Sequence, residues 1–73
     1  MKHYEVADMA SRVPLGSTEE VAEYLGDIPA KTLVQWRYKG IGPKYVKVGK
    51  YVRYRWSDVE SWLASQERVA QTV

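Results

Sequence analysis

A chain of 73 residues, with no cysteine and one histidine, has room for one domain around one small core and none for a second. Lack of cysteine removes disulfides and thiolate metal sites, and His3, close to an end expected to fray, leaves imidazole chemistry almost no material, so no metal and no cofactor is expected. The net charge of +2 conceals a segregation: residues 31–55 hold Lys31, Arg37, Lys39, Lys44, Lys47, Lys50, Arg53 and Arg55 with no acid among them, while the flanking stretches are acidic.

Residues 1–16 predict an N-terminal arm or a short helix: Val6, Met9, Ala10 and Val13 have rough helical spacing, and Pro14 and Gly16 end it. The next helix starts at Ser17, where Ser17 and Glu20 form a capping box and Glu19 and Glu20 suit the positive end of the helix. Val21, Tyr24 and Leu25 supply its apolar stripe, Ala22 allows a close neighbour, and Gly26 ends it. So short a helix cannot stand alone and must be held by packing. After the turn at 26–28, Pro29 is expected at the first position of a second helix that runs to about Lys39 and stops at Gly40. Ala30, Leu33 and Trp36 share its inner side; Lys31, Val34, Gln35 and Tyr38 point elsewhere, flanked by Thr32 and Lys39. Two short helices joined by a glycine-containing turn fit the helix-turn-helix pattern, in which the second helix enters the major groove of DNA.

Gly40-Ile41-Gly42-Pro43-Lys44 reads as a loop, followed by a β-hairpin from Tyr45 to Trp56. Its register is contested. A two-residue Gly49-Lys50 turn would set Val48 opposite Tyr51, whereas the apolar alternation sets Val48 opposite Val52 and Val46 opposite Tyr54 across a three-residue loop. The alternation is preferred, because a one-residue slip turns one strand's apolar set toward water. The expected inner face is then Val46, Val48, Val52 and Tyr54, and the outer face Lys47, Arg53 and Arg55. Ser57 is expected to cap the last helix through a second box with Glu60; Val59, Trp62 and Leu63 form its stripe, with Val69 as a distant continuation and residues 68–73 a frayed tail. The expected core is Val21, Leu25, Leu33, Trp36, Val46, Val48, Val52, Tyr54, Val59, Trp62 and Leu63.

The basic stretch lies on a helix and a hairpin rather than on a featureless tail, which favours a polyanion-binding face over a solvated loop. It lacks the long continuous amphipathic helix of a membrane-surface binder, no stretch reaches the roughly 20 apolar residues of a span, and no signal-peptide core follows Met1. No membrane partner is expected, and the expected location is the cytoplasm. Double-stranded DNA is the expected ligand. Gln35 suits adenine, Lys31 guanine, and Thr32 offers a hydroxyl and a methyl, with Tyr38 beside them and Lys39 nearer a phosphate. Arg37 falls on the inner side and fits structural support and phosphate contact equally well. Lys47, Lys50, Arg53 and Arg55 would follow the backbone or a narrow minor groove. Tyr51 and Tyr54 could stack single-stranded bases, but two strands make a poor platform and the core claims Tyr54. Enzyme chemistry has no foothold: no P-loop or dinucleotide fingerprint is present, and the acidic residues serve caps and helix faces.

The run from Ser17 to Leu63 resembles the small winged-helix domains of the excisionase and MerR-like superfamily, above all the stand-alone excisionase-type proteins of actinobacterial phages and integrated elements. The order of parts carries the resemblance: T-E-E-V-A-E-Y-L at 18–25, T-L-x-x-W-R at 32–37, G-x-G-P at 40–43, V-G-K at 48–50, R-Y at 53–54 and S-D-V-E-x-W-L at 57–63. It implies an α+β winged helix-turn-helix over residues 17–67, with two short helices, a hairpin wing at 45–55 and a closing helix. It places Thr32 and its exposed neighbours at the DNA, and Lys50 and Arg53 at backbone or minor groove. It also implies a DNA-bending excisionase in a bacterial host, acting with cooperative copies of itself and a phage integrase, with no small-molecule substrate. A small MerR-like transcriptional regulator is the alternative; the dimerisation helix and effector domain of full MerR-type regulators are not expected here.

Overall fold

The computed structural model describes residues 14–68; the expectations for Val6 to Val13 and for residues 69–73 lie outside them. Its elements are α1 (Thr18–Tyr24), α2 (Ala30–Lys39), β1 (Val46–Val48), β2 (Tyr51–Arg53) and α3 (Trp56–Ser65), a small α+β winged helix-turn-helix arrangement. The capping box opens α1 as expected: Glu20 N donates to Ser17 Oγ at 3.0 Å, and Ser17 N donates to Glu20 Oε1 at 2.9 Å. Leu25 caps the other end, and the chain turns through Gly26 and Asp27, both at positive φ.

Pro29 stands one residue outside its expected place. It is the N-cap of α2, with ψ at 137°, and its carbonyl accepts from Thr32 N at 2.9 Å. Its ring fixes φ near the helical value, but ψ decides membership, and the ring leaves ψ free. Gly40 ends α2 in the left-handed region, where Ile41 N reaches back to Trp36 O at 2.9 Å.

The hairpin departs further. Val46 pairs with Arg53, Lys47 with Val52 and Val48 with Tyr51, which is the register of the two-residue turn and not of the alternation. Two contacts outweigh the alternation. Gly49, at φ +64°, occupies the turn position that suits a residue without a β-carbon. Beyond β2, Gly16 and Tyr54 exchange backbone hydrogen bonds of 2.8 Å in both directions and pin the strand's exit. Opposed residues share a face, so Lys47 and Val52 lie on one side and Val46, Val48, Tyr51 and Arg53 on the other. Val52 packs against the core, so β2 faces as expected and the faces of β1 alone are exchanged: Val48 is 51% exposed, and Lys47 stands on the core-facing side.

The last helix begins two residues early. Arg55 is its N-cap, its carbonyl accepting from Asp58 N and Val59 N, so the Ser57 box does not form. Tertiary packing of Trp56 overrides the local signal. Its indole Nε1 donates to Pro14 O at 3.1 Å, and its ring meets Tyr24 edge-on at 5.3 Å. Trp56 also covers Gly16, where a β-carbon would lie 2.6 Å from Cζ2.

The buried core is Val21, Ala22, Leu33, Tyr54 and Val59, joined by Leu25, Ile28, Ala30, Trp36, Val52 and Trp56. Ala22, Ile28, Ala30 and Trp56 take places expected for Val46, Val48 and Leu63; Leu63 is 37% exposed on α3. Trp62 contributes instead through a tilted ring contact with Trp36, with centroids 5.2 Å apart. Gly42 closes the other side of Trp36, where a β-carbon would lie 2.9 Å from Cε3.

Candidate nucleic-acid interface

Helix periodicity gives α2 two unlike sides. Leu33 is its one fully buried residue, and Ala30 and Trp36 pack beside it. Lys31, Gln35, Tyr38 and Lys39 are exposed, with Gln35 four residues after Lys31 and Tyr38 and Lys39 three and four after Gln35, forming one stripe along the helix; Thr32 borders it, half-buried. Tyr38 is 87% exposed, an unusual placement for an aromatic ring. The stripe therefore joins amide and hydroxyl hydrogen-bonding groups with two ammonium groups and one aromatic ring, and it carries no acid.

Arg37 leaves this stripe for the opposite side. Its Nη1 donates to Tyr54 Oη at 2.8 Å and to Thr18 Oγ1 at 3.2 Å, and its guanidinium lies 5.6 Å from the Tyr45 ring centroid. Tyr45 in turn faces Tyr54 at 6.3 Å. One half-buried guanidinium thus ties α2 to α1 and to both ends of the hairpin. Its partners here are neutral, so its charge remains uncompensated by them and adds to the basic segment. Structural support is the role the geometry displays. The sequence signal for it was weak: Thr18 and Tyr54 are 17 or more positions away, and only the inward placement of Arg37 hinted at it.

The wing brings together a different set from the expected one. Arg53 lies on its outward face, half-buried, with Nη1 donating to Val52 O at 2.8 Å and the guanidinium 5.4 Å from the Tyr51 ring centroid. Lys50, in the turn, places its ammonium 5.6 Å from the same ring. Lys47 is exposed but sits on the other face, and Arg55 has left the hairpin to cap α3, 3.8 Å from Asp58 in an exposed ion pair of small energetic worth. The wing residues that sequence reasoning missed are Val48 and Tyr51, which the turn-dictated register carries outward.

Acidic residues stand on the other two helices. Glu19 and Glu20 occupy the first turn of α1, and Glu60 of α3 accepts a hydrogen bond from Tyr24 Oη. That bond, together with the charge of Glu60, raises the Tyr24 hydroxyl above its ordinary value of 10.0. Among the described residues, no helix is long and apolar enough to cross a membrane.

The α2 stripe and the outward wing each carry cations, the charge that attracts a polyanion such as a duplex. The family model described as a helix-turn-helix domain matches residues 17–67. No curated protein matches the chain.

Proposed function

Because the chain belongs to the helix-turn-helix domain family and is thereby a DNA-binding domain, we propose that it is an excisionase-like protein, binding specific duplex sites and bending them so that an integrase excises an integrated phage or mobile element. The observation that carries this reading is the pairing of an exposed, acid-free stripe on α2 with a basic hairpin held to the same helix through Arg37. In this reading α2 lies in the major groove. Gln35 reads adenine, Lys31 reads guanine, Thr32 and Tyr38 pack beside them, and Lys39 meets a phosphate. The wing follows the adjacent backbone through Lys50 and Arg53. A single module of this kind covers roughly 600–1,000 Å² of protein surface on DNA, too little for tight specific binding alone. Bending by about 40–90° costs on the order of 1–6 kcal/mol, which several cooperating copies can share. The motif resemblance to excisionase-type proteins supports that architectural role, and with it a bacterial cytoplasm as the place of action.

The test is footprinting on DNA flanking an attachment junction, with and without the neighbouring integrase, combined with circular-permutation gels. Repeated protected sites, slowed mobility that depends on site position, and extended protection when integrase is added are expected. A single protected inverted repeat over a promoter, with no bend and no response to integrase, rejects the excisionase reading and leaves a transcriptional regulator.

A further inference from the structure

The hairpin register has a chemical consequence at the wing tip. Val48 and Tyr51 are cross-strand partners on the outward face, 51% and 54% exposed, and together they form an apolar surface within the protein's most basic segment. A pair of large side chains at a hairpin tip stabilises little while it faces water. The ring of Tyr51 is bracketed by two cations, Lys50 at 5.6 Å and Arg53 at 5.4 Å. Both distances fall within the range in which the negative face of an aromatic ring attracts a cation. The charges are therefore held beside the apolar surface instead of spreading into solvent. What would cover such a surface must be apolar where it meets Val48 and Tyr51 and anionic immediately on either side.

Duplex DNA has that alternation. Its apolar groups open to a protein are the thymine methyls of the major groove and the deoxyribose carbons that wall the minor groove between rows of phosphates. With α2 in the major groove, the wing is left with the sugars. We propose that Val48 and Tyr51 pack on the deoxyribose wall of the minor groove beside the helix site, with Lys50 and Arg53 on the flanking phosphates. This rests on the DNA-binding reading and adds a non-electrostatic contact, which contributes affinity that salt does not screen.

The experiment measures affinity against salt concentration for duplexes selected by the wild-type chain from a random library, together with hydroxyl-radical footprints, which read the accessibility of the sugars. The double variant Tyr51→Thr/Val48→Thr keeps β-branched residues in both strands, and circular dichroism reads its folding. It is expected to bind about tenfold more weakly with an unchanged salt slope, and to lose sugar protection beside the helix site while keeping the rest. Lys50→Ala/Arg53→Ala should instead flatten the slope by about two. Tyr51→Phe should keep both affinity and protection, because the ring and not the hydroxyl makes the contact. Wild-type affinity and protection in the threonine double variant overturn the proposal while DNA binding stands, as does loss of binding in Tyr51→Phe. If the threonine variant binds DNA normally but loses a cross-link to integrase, the surface is a protein-docking face and the sugar contact is rejected. Absence of saturable duplex binding by the wild-type chain overturns the DNA reading itself.

Discussion

Helix α2 and the wing both belong to the basic segment, yet their two sides are decided in different ways. In α2 the period of 3.6 residues sorts the side chains: Leu33 goes inward, and Lys31, Gln35, Tyr38 and Lys39 go outward, whatever the neighbours do. In the wing each strand spans three residues, and so short an alternation is a weak vote. The turn at Gly49 and the anchor between Gly16 and Tyr54 outvote it. A face coded within an element is robust, whereas a face set by its ends depends on residues far away in the chain.

That contrast can be broken from the helix side most severely. Leu33 is fully buried beneath the exposed stripe, and Leu33→Ala should cost about 2–5 kcal/mol, enough to unfold much of so small a domain. Urea denaturation measures it, and a loss under about 1 kcal/mol would mean that α2 is not held through Leu33. Gly16→Ala attacks the wing's outside anchor, since the new β-carbon would sit 2.6 Å from Trp56 Cζ2. Overpacking of this kind costs about 1–3 kcal/mol and should red-shift tryptophan emission as the Trp56 indole is displaced. Unchanged stability and emission would show that the Gly16–Tyr54 bridge does not hold the strand.

The legible parts of the molecule were those whose causes are local. The Ser17 box, the stop at Gly40 and the stripe on α2 each depend on residues within about one or two helical turns, and each stands where the sequence reading put it. The start of α3 was misread because Ser57 offers a good local cap while Trp56, docking on Pro14, Gly16 and Tyr24, draws the helix two residues earlier. The faces of β1 were exchanged because its register is set outside the strand, by the turn at Gly49 and the Gly16–Tyr54 bridge. In the candidate interface, the α2 residues could be named from spacing, but Thr18, Tyr45 and Tyr54 gather around Arg37 only in three dimensions.

Two smaller perturbations sharpen the comparison. Tyr54→Phe removes the hydroxyl that accepts from Arg37 at 2.8 Å and should cost about 1 kcal/mol by thermal melting. Its larger consequence should be a looser wing, read as faster amide exchange at residues 46–53 with α2 unaffected; equal acceleration in both elements would contradict the tie through Arg37. Tyr24→Phe acts on the hydrogen bond to Glu60, away from α2 and the wing in sequence, and should leave DNA affinity untouched. Because the fold raises this phenol above 10.0, its contribution is complete below that pH and is lost as pH rises through the raised value. In spectrophotometric titration Tyr24→Phe should therefore abolish a late-ionising tyrosine; a curve that keeps its late component would place that component elsewhere.

The central claim is that the exposed stripe of α2 and the outward wing meet duplex DNA together while α1 and α3 turn away. Two-dimensional amide NMR during titration with a selected duplex tests it most directly. Saturable shifts are expected, concentrated at residues 31–39 and 46–53, with small changes in Thr18–Tyr24 and in the second half of Trp56–Ser65. Shifts centred on the acidic first turn of α1 or on α3, with the α2 stripe unmoved, would contradict it.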